Sequence, residues 1–290
     1  MATKVEKDAL SGTDTTGHEW DGLKELNTPL PKWWLYTFYA CIAFSLVWVV
    51  VYPAFPIFGA RGALDWIARE RVQDDMDAAQ RQMGPMLARI REATPEQILA
   101  NPELRRFAVA GGRVLFANNC AACHGAGGQG QQGGFPSLAD DDWIWGGSLD
   151  AIKHTIMHGI RSNESDDQRQ GVMARFGADG TLTAAQVGDV AQFVLSLTNR
   201  ATDQAAVGRG RTVFEEYCSN CHGDTGRGNR DLGAPNLADA VWLYGGDLAS
   251  VVRTINNGRG GVMPSWQGRL DPASINMLTV YVHQLGGGER

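Results

Sequence analysis

The sequence predicts a mainly α-helical chain: one N-terminal transmembrane helix followed by two tandem copies of a small helical domain. Three observations carry this. Residues 33–60 contain no charged side chain. The pentapeptide Cys120-Ala121-Ala122-Cys123-His124 returns as Cys218-Ser219-Asn220-Cys221-His222. The residues flanking the two copies also match at a nearly constant offset, the mark of an internal repeat.

The 290 residues suffice for about two domains with additions, and 43% hydrophobic with 20% charged residues is ordinary for a globular protein. The formal charge of −6 resides mainly in residues 1–103, with 10 Lys/Arg against 14 Asp/Glu. The two repeats are nearly neutral, so strong electrostatic steering of a partner is not expected and a nucleic-acid role finds no support.

Residues 1–32 are an N-terminal segment. Residues 1–17 are polar and expected to be disordered, and His18–Trp34 reads as an amphipathic lead-in that ends at Pro29-Leu30-Pro31. Residues 33–58 then form the span, since about twenty apolar residues cross a bilayer and Trp33, Trp34, Tyr36, Trp48 and Tyr52 suit its interfaces. A cleaved signal peptide would need a short basic start, whereas 32 polar residues precede this stretch. Cys41, inside the span, reads as a small buried hydrophobe.

Residues 59–103 are a linker with an amphipathic helix. Val72, Met76, Ala79, Met83, Met86 and Ile90 recur at steps of four and three, which places them on one seam, and Pro85 is expected to kink it. The seam faces either its own domain or a partner subunit.

Residues 104–200 and 201–290 are the two repeats. Gly112 and Phe116 match Gly210 and Phe214. Pro136-Ser137-Leu138 and Gly146-Gly147 match Pro235-Asn236-Leu237 and Gly245-Gly246. Phe193 and Leu197 match Tyr281 and Leu285. A polar insertion at 162–169 distinguishes the first copy and is expected to be a solvated loop, with its acidic residues available to orient an electron donor. Each copy should hold a first helix ending in the motif (104–122, 205–220), a middle helix (148–158, 247–257) and a last helix (183–198, 271–285). Thr183 and Asp271 are expected to cap the last helices. Gly112 is expected against Phe193, and Gly210 against Tyr281, where first and last helices cross.

On a helix the two Cys of the motif and the following His share one face, so two thioethers can hold a haem edge while the imidazole reaches the iron. A dithiol or half of a zinc site are the competing readings, but zinc needs further ligands at close spacing. Cys120, Cys123, Cys218 and Cys221 are therefore the expected covalent haem attachments, and His124 and His222 the axial ligands of two haems c.

A second axial ligand is needed for electron shuttling, and Met opposite His raises the potential. Met173 in Gly171-Val172-Met173-Ala174 and Met263 in Gly261-Val262-Met263-Pro264 hold equivalent places. His158 is an alternative to Met173 at the first haem. If one iron departs from His/Met, it is expected to be the one on His124. Arg161 and Arg259 are candidate propionate partners, and Trp143, Trp145, Trp242 and Tyr244 candidate pocket linings. No nucleophile, acid/base pair or open metal site stands out, so the cofactor carries the chemistry. A di-haem peroxidase, a gas sensor, a free carrier or a subunit of another dehydrogenase remain as alternatives.

The helical repeat with these motifs resembles the class I cytochrome c fold over residues 104–287. The stretch His18–Trp34 and Tyr52-Pro53-Ala54-Phe55-Pro56 resemble the N-terminal signature of the CcoP (FixP) subunit family of cbb3-type cytochrome c oxidases. The resemblance implies a non-catalytic electron-transfer subunit in a bacterial cytoplasmic membrane, single-pass, with its haem domains in the periplasm and residues 1–32 in the cytoplasm. It further implies electrons taken from cytochrome c or a cytochrome bc complex and passed, through a mono-haem cytochrome subunit, to a haem-copper catalytic subunit.

Overall fold

The computed structural model describes residues 4–52 and 61–289, and its two compact units, Met1–Gln82 and Met83–Arg290, are taken in turn. The first opens with a β-hairpin, β1 (Thr15–Trp20) paired antiparallel with β2 (Leu23–Leu26). Residues 15–17, expected to be disordered, and residues 18–20 and 23–26 of the lead-in are therefore strand. Asp21-Gly22 makes the two-residue turn, both residues with positive φ (48° and 83°), which matches the twist of the flanking strands.

Helix α1 (Lys32–Val51) starts immediately after Pro31 and has no buried residue. Its 20 residues, at 1.5 Å each, reach about 30 Å, the hydrocarbon thickness of a bilayer. It is the one candidate membrane span among the described residues. Cys41 is exposed on it rather than buried, because α1 is apolar on every side and buries none of its residues against the described chain. Residues 53–58 of the predicted span, with Pro53-Ala54-Phe55-Pro56, lie outside the described residues.

Helix α2 (Ala68–Glu92) contains Pro85 and continues beyond it to Glu92. Val72, Met76 and Met83 are exposed, whereas Ile90 is fully buried with Met86 and Leu87 beside it. Among the described residues, only the C-terminal end of the predicted seam is packed.

The second unit continues through α3 (Pro95–Ala100), α4 (Pro102–Asn119), α5 (Ala121–His124) and α6 (Leu149–His158) to α7 (Ala184–Ser196). The second repeat supplies α8 (Gln204–Tyr217), α9 (Ser219–His222), α10 (Leu248–Asn257) and α11 (Pro272–His283). The predicted caps form. Thr183 and Gln186 make a reciprocal capping box, and Asp271 accepts from the amides of Ala273 and Ser274.

The last helices are exchanged. One core joins Val187, Val190, Phe193 and Val194 of α7 to Val213 and Phe214 of α8 and Val251 and Ile255 of α10. Another joins Phe116 of α4 and Ile152 and Ile156 of α6 to Ile275, Leu278 and Val282 of α11. The expected glycine crossings are corrected accordingly. A Cβ on Gly112 would lie 2.4 Å from the Met277 carbonyl and 2.6 Å from Tyr281, and one on Gly210 would lie 2.1 Å from the Asp189 carbonyl and 3.0 Å from Phe193.

The physical reason is the connection between α7 and α8. Residues 197–203 make a short connection, which favours packing of the consecutive helices α7 and α8 on each other. Gln192 stitches the turn, its Oε1 accepting from the Thr202 amide at 2.9 Å and its Nε2 donating to the Thr202 hydroxyl at 3.0 Å. Arg209 adds a bidentate pair to Asp189 at 2.7 and 2.8 Å. With α7 committed to α8, α4 is left for α11. Asn276 of α11 fixes this packing further by donating to the carbonyls of Ile90 and Ala93.

Candidate haem-binding sites

Both motifs stand at the end of a first helix. Cys120 and Cys218 are the C-caps of α4 and α8, and each following turn ends in the His. All four thiols are free. Cys123 and Cys221 are exposed, and Cys120 and Cys218 half-buried. Burial pushes the thiols of Cys120 and Cys218 up to about 11, so both stand protonated at neutral pH.

Each imidazole is set for metal ligation. Nδ1 of His124 lies 3.0 Å from the Pro136 carbonyl, and Nδ1 of His222 3.0 Å from the Pro235 carbonyl. A carbonyl only accepts, so Nδ1 carries the proton and Nε2 keeps its lone pair free. Burial also lowers both His pKa values, against the raising effect of those hydrogen bonds, which favours the neutral ring that binds iron. The Pro-x-Leu match between the repeats marked this carbonyl in the sequence.

The methionines follow the exchanged helices. The amide of Met263 donates to the Ile160 carbonyl, and the amide of Ile160 to the Met263 carbonyl, both at 2.9 Å. Trp266 and Gln267 then donate to Ile156 and Met157 of α6. Met263 is thus held beside the C-terminal end of α6 in the first repeat. In mirror image, Met173 exchanges backbone hydrogen bonds with Arg259 at 3.0 and 3.2 Å and packs against the core that contains Phe214 and adjoins Cys218. The segment expected beside the His124 motif thus has its backbone bonds to the second repeat.

His158 is engaged elsewhere. Its Nδ1 lies 2.9 Å from the Ser165 hydroxyl, and its ring sits 4.6 Å from that of His154. Arg161 donates through Nε to the Gly261 carbonyl at 2.6 Å and through Nη1 to the Gly171 carbonyl, so it ties both methionine loops. Arg259 lies over the Tyr244 ring, 4.3 Å from its centroid. Trp143 and Trp242 pack on the two cores, while Trp145 and Tyr244 reach Gly233 and Gly134 of the opposite repeat.

These residues fit a covalently attached haem. Paired thiols stand beside a neutral imidazole with a free Nε2. The Trp242 indole N–H and the Arg169 Nε–H are buried without a hydrogen-bond partner among the described residues, as donors awaiting an acidic group would be. Ser265 and Arg269 were missed in the sequence, and Glu164 was read only among the acidic residues of a solvated insertion available to an electron donor. Glu164 accepts from the Ser265 amide at 2.9 Å and pairs with Arg269 at 2.7 Å, which makes part of the insertion structural.

Known proteins match this chain along nearly its whole length. Residues 12–59 match the N-terminal domain of cytochrome oxidase-cbb3, FixP; residues 109–198 match cytochrome c; and residues 205–282 match cytochrome c oxidase, cbb3-type, subunit III. The chain is 52% identical to a cbb3-type cytochrome c oxidase subunit CcoP of Azospirillum brasilense, over all of both chains. It is 50% identical to a subunit FixP of Azorhizobium caulinodans, over 97% of this chain and 96% of that one, and 42% identical to a CcoP of Cereibacter sphaeroides over all of both. A membrane-anchor helix, two cytochrome c domains of the kind that bind haem c covalently, and relatives matched end to end establish that this chain belongs to the CcoP/FixP family of electron-transfer subunits of cbb3-type cytochrome c oxidases.

Proposed function

We propose that this chain carries two haems c, one on Cys120/Cys123 and one on Cys218/Cys221, and relays electrons from a cytochrome c or cytochrome bc donor, by way of a mono-haem subunit, to the haem-copper subunit that reduces oxygen. The haem domains stand in the periplasm, and α1 crosses the cytoplasmic membrane once. The residues that would hold the two irons pair crosswise, His124 with Met263 and His222 with Met173. The observation that carries this pairing is the pair of backbone bridges, Met263 with Ile160 and Met173 with Arg259.

Bound haem c supplies reversible one-electron exchange at iron, and a thioether opposite imidazole raises its potential. The chain's own residues do the rest. The carbonyls of Pro136 and Pro235 hold His124 and His222 in the ligating tautomer. The cores around Phe116 and Phe214 keep water from the buried side of each site. Arg161, bonded to both methionine loops, holds the two halves in register. Trp242 and Arg169 present N–H donors suited to a propionate.

The test is isolation of the intact complex from detergent-solubilised membranes, with haem c, haem b and copper counted per copy of this chain. Two haems c on this chain, together with haem b and copper, are expected. This chain alone, with oxygen reduction intact in the remainder, would contradict the assignment.

A further inference from the structure

We propose that Glu164 is a positioning residue that holds the Met263 loop against the first repeat, and that this clamp exists on one side of the molecule only. The inference rests on Met263 serving the haem on His124. It goes beyond that pairing by naming what keeps the methionine in place.

Glu164 stands in the insertion at 162–169, which is itself anchored. Arg161 donates its amide to the Arg169 carbonyl at 2.8 Å, Arg169 donates to Gly159 at 3.0 Å, and the Asn163 amide reaches the Gln168 side chain at 3.0 Å. From this base one carboxylate makes two bonds across the halves. Its Oε2 accepts from the Ser265 amide at 2.9 Å, two residues beyond Met263, and its Oε1 pairs with Arg269 at 2.7 Å. Ser265 is buried, and its hydroxyl donates to the Met157 carbonyl at 2.6 Å. Met263-Pro264-Ser265 is thus fastened on one side by the Ile160 bridge and on the other by Glu164.

The Met173 loop is built differently. The second repeat has no insertion, so no counterpart of Glu164 reaches the residues after Met173. Ala174 stands where Pro264 stiffens the other loop, and beyond Phe176, which packs on the core beside Tyr217, the next backbone bond across the halves is from the Ala178 amide to the Asn256 carbonyl at 2.9 Å. A methionine leaves iron through motion of its loop, so the clamp slows that motion at one site. The His124 site is the guarded one and the His222 site the looser one.

The test uses the full-length chain in detergent with both haems attached. Carbon monoxide binding to the reduced protein reports opening of the Met–Fe bond, and the sulfur-to-iron charge-transfer absorption of the oxidised protein reports its closure. Glu164→Ala is expected to raise the rate of carbon monoxide binding roughly tenfold at one haem, as loss of a charge-assisted bond to a loop implies. Glu164→Gln, which keeps an acceptor for Ser265, should fall between Ala and wild type. Met263→Ala serves as the reference. In Glu164→Ala/Met263→Ala no further acceleration is expected at that haem, whereas Glu164→Ala/Met173→Ala should open both haems. If Met263→Ala exposes the His124 haem but Glu164→Ala leaves both rates at wild type, the clamp is refuted and the ligand pairing stands. If Met263→Ala leaves the His124 haem closed, the pairing itself fails.

Discussion

Leu278→Ala is a sharp probe of the exchanged helices. Leu278 belongs to the second repeat, yet it is 1% exposed in a core with Phe116, Ile152 and Ile156 of the first. Truncating a fully buried Leu costs about 2–5 kcal/mol through lost transfer energy and the cavity left behind. Against a total of about 5–15 kcal/mol for a domain, that is a large fraction. Two single-haem chains separate the sites, one with Cys218 and Cys221 replaced by Ala and the other with Cys120 and Cys123 replaced. Denaturant unfolding followed through the axial-ligand absorption reads each site by itself. Leu278→Ala should lower the midpoint of the chain with haem on His124 by the full amount and leave the other nearly unchanged. Phe193→Ala, in the first repeat but against Phe214 with ring centroids 4.9 Å apart, should do the reverse at about 3–5 kcal/mol. Greater loss at the site in the same repeat as the mutation would refute the exchange.

Three further outcomes are expected. Asn276→Leu removes two donors from the carbonyls of Ile90 and Ala93 and should cost about 2 kcal/mol in denaturant unfolding, an unchanged midpoint arguing against that tie. Asp142 is pushed up to about 6, first by burial and then by Asp239. An acid raised in the folded state favours folding when protonated, so this contribution falls as pH climbs from about 4 to about 6. Asp142→Asn should then be more stable than wild type by about 1 kcal/mol at pH 7.5, after discounting for solvent screening, and equal to it below about pH 4. Arg209→Ala, which breaks an exposed pair with Asp189 between α7 and α8, should leave the denaturant midpoint nearly unchanged, and a clear loss would show that the packing of the two helices depends on it.

The helical class, the span, the two cytochrome c domains and the helix ends were legible because local signals specify them: apolar length, capping residues and the repeated motif. The hairpin at the N-terminus was legible too, in Asp21-Gly22 between Trp20 and Leu23, but the polar composition around it hid the turn. The exchange of last helices was the larger miss. Two repeats of identical pattern are compatible with self-pairing and with cross-pairing, since Phe193 and Tyr281 offer the same ring to the same kind of glycine. What distinguishes them is the seven-residue connection from Leu197 to Asp203, a length that the repeat comparison does not weigh. The error then propagates. Met173-Ala174, read in the sequence with the His124 motif, has its backbone bonds to Arg259 of the second repeat.

The most direct test of this account is ligand replacement in the single-haem chain that carries haem only on His124. Met263→Ala should abolish its sulfur-to-iron charge-transfer absorption, and Met173→Ala should leave it intact. Loss of the absorption on replacing Met173, with no effect from Met263, would contradict the crosswise arrangement on which the whole reading of the two sites depends.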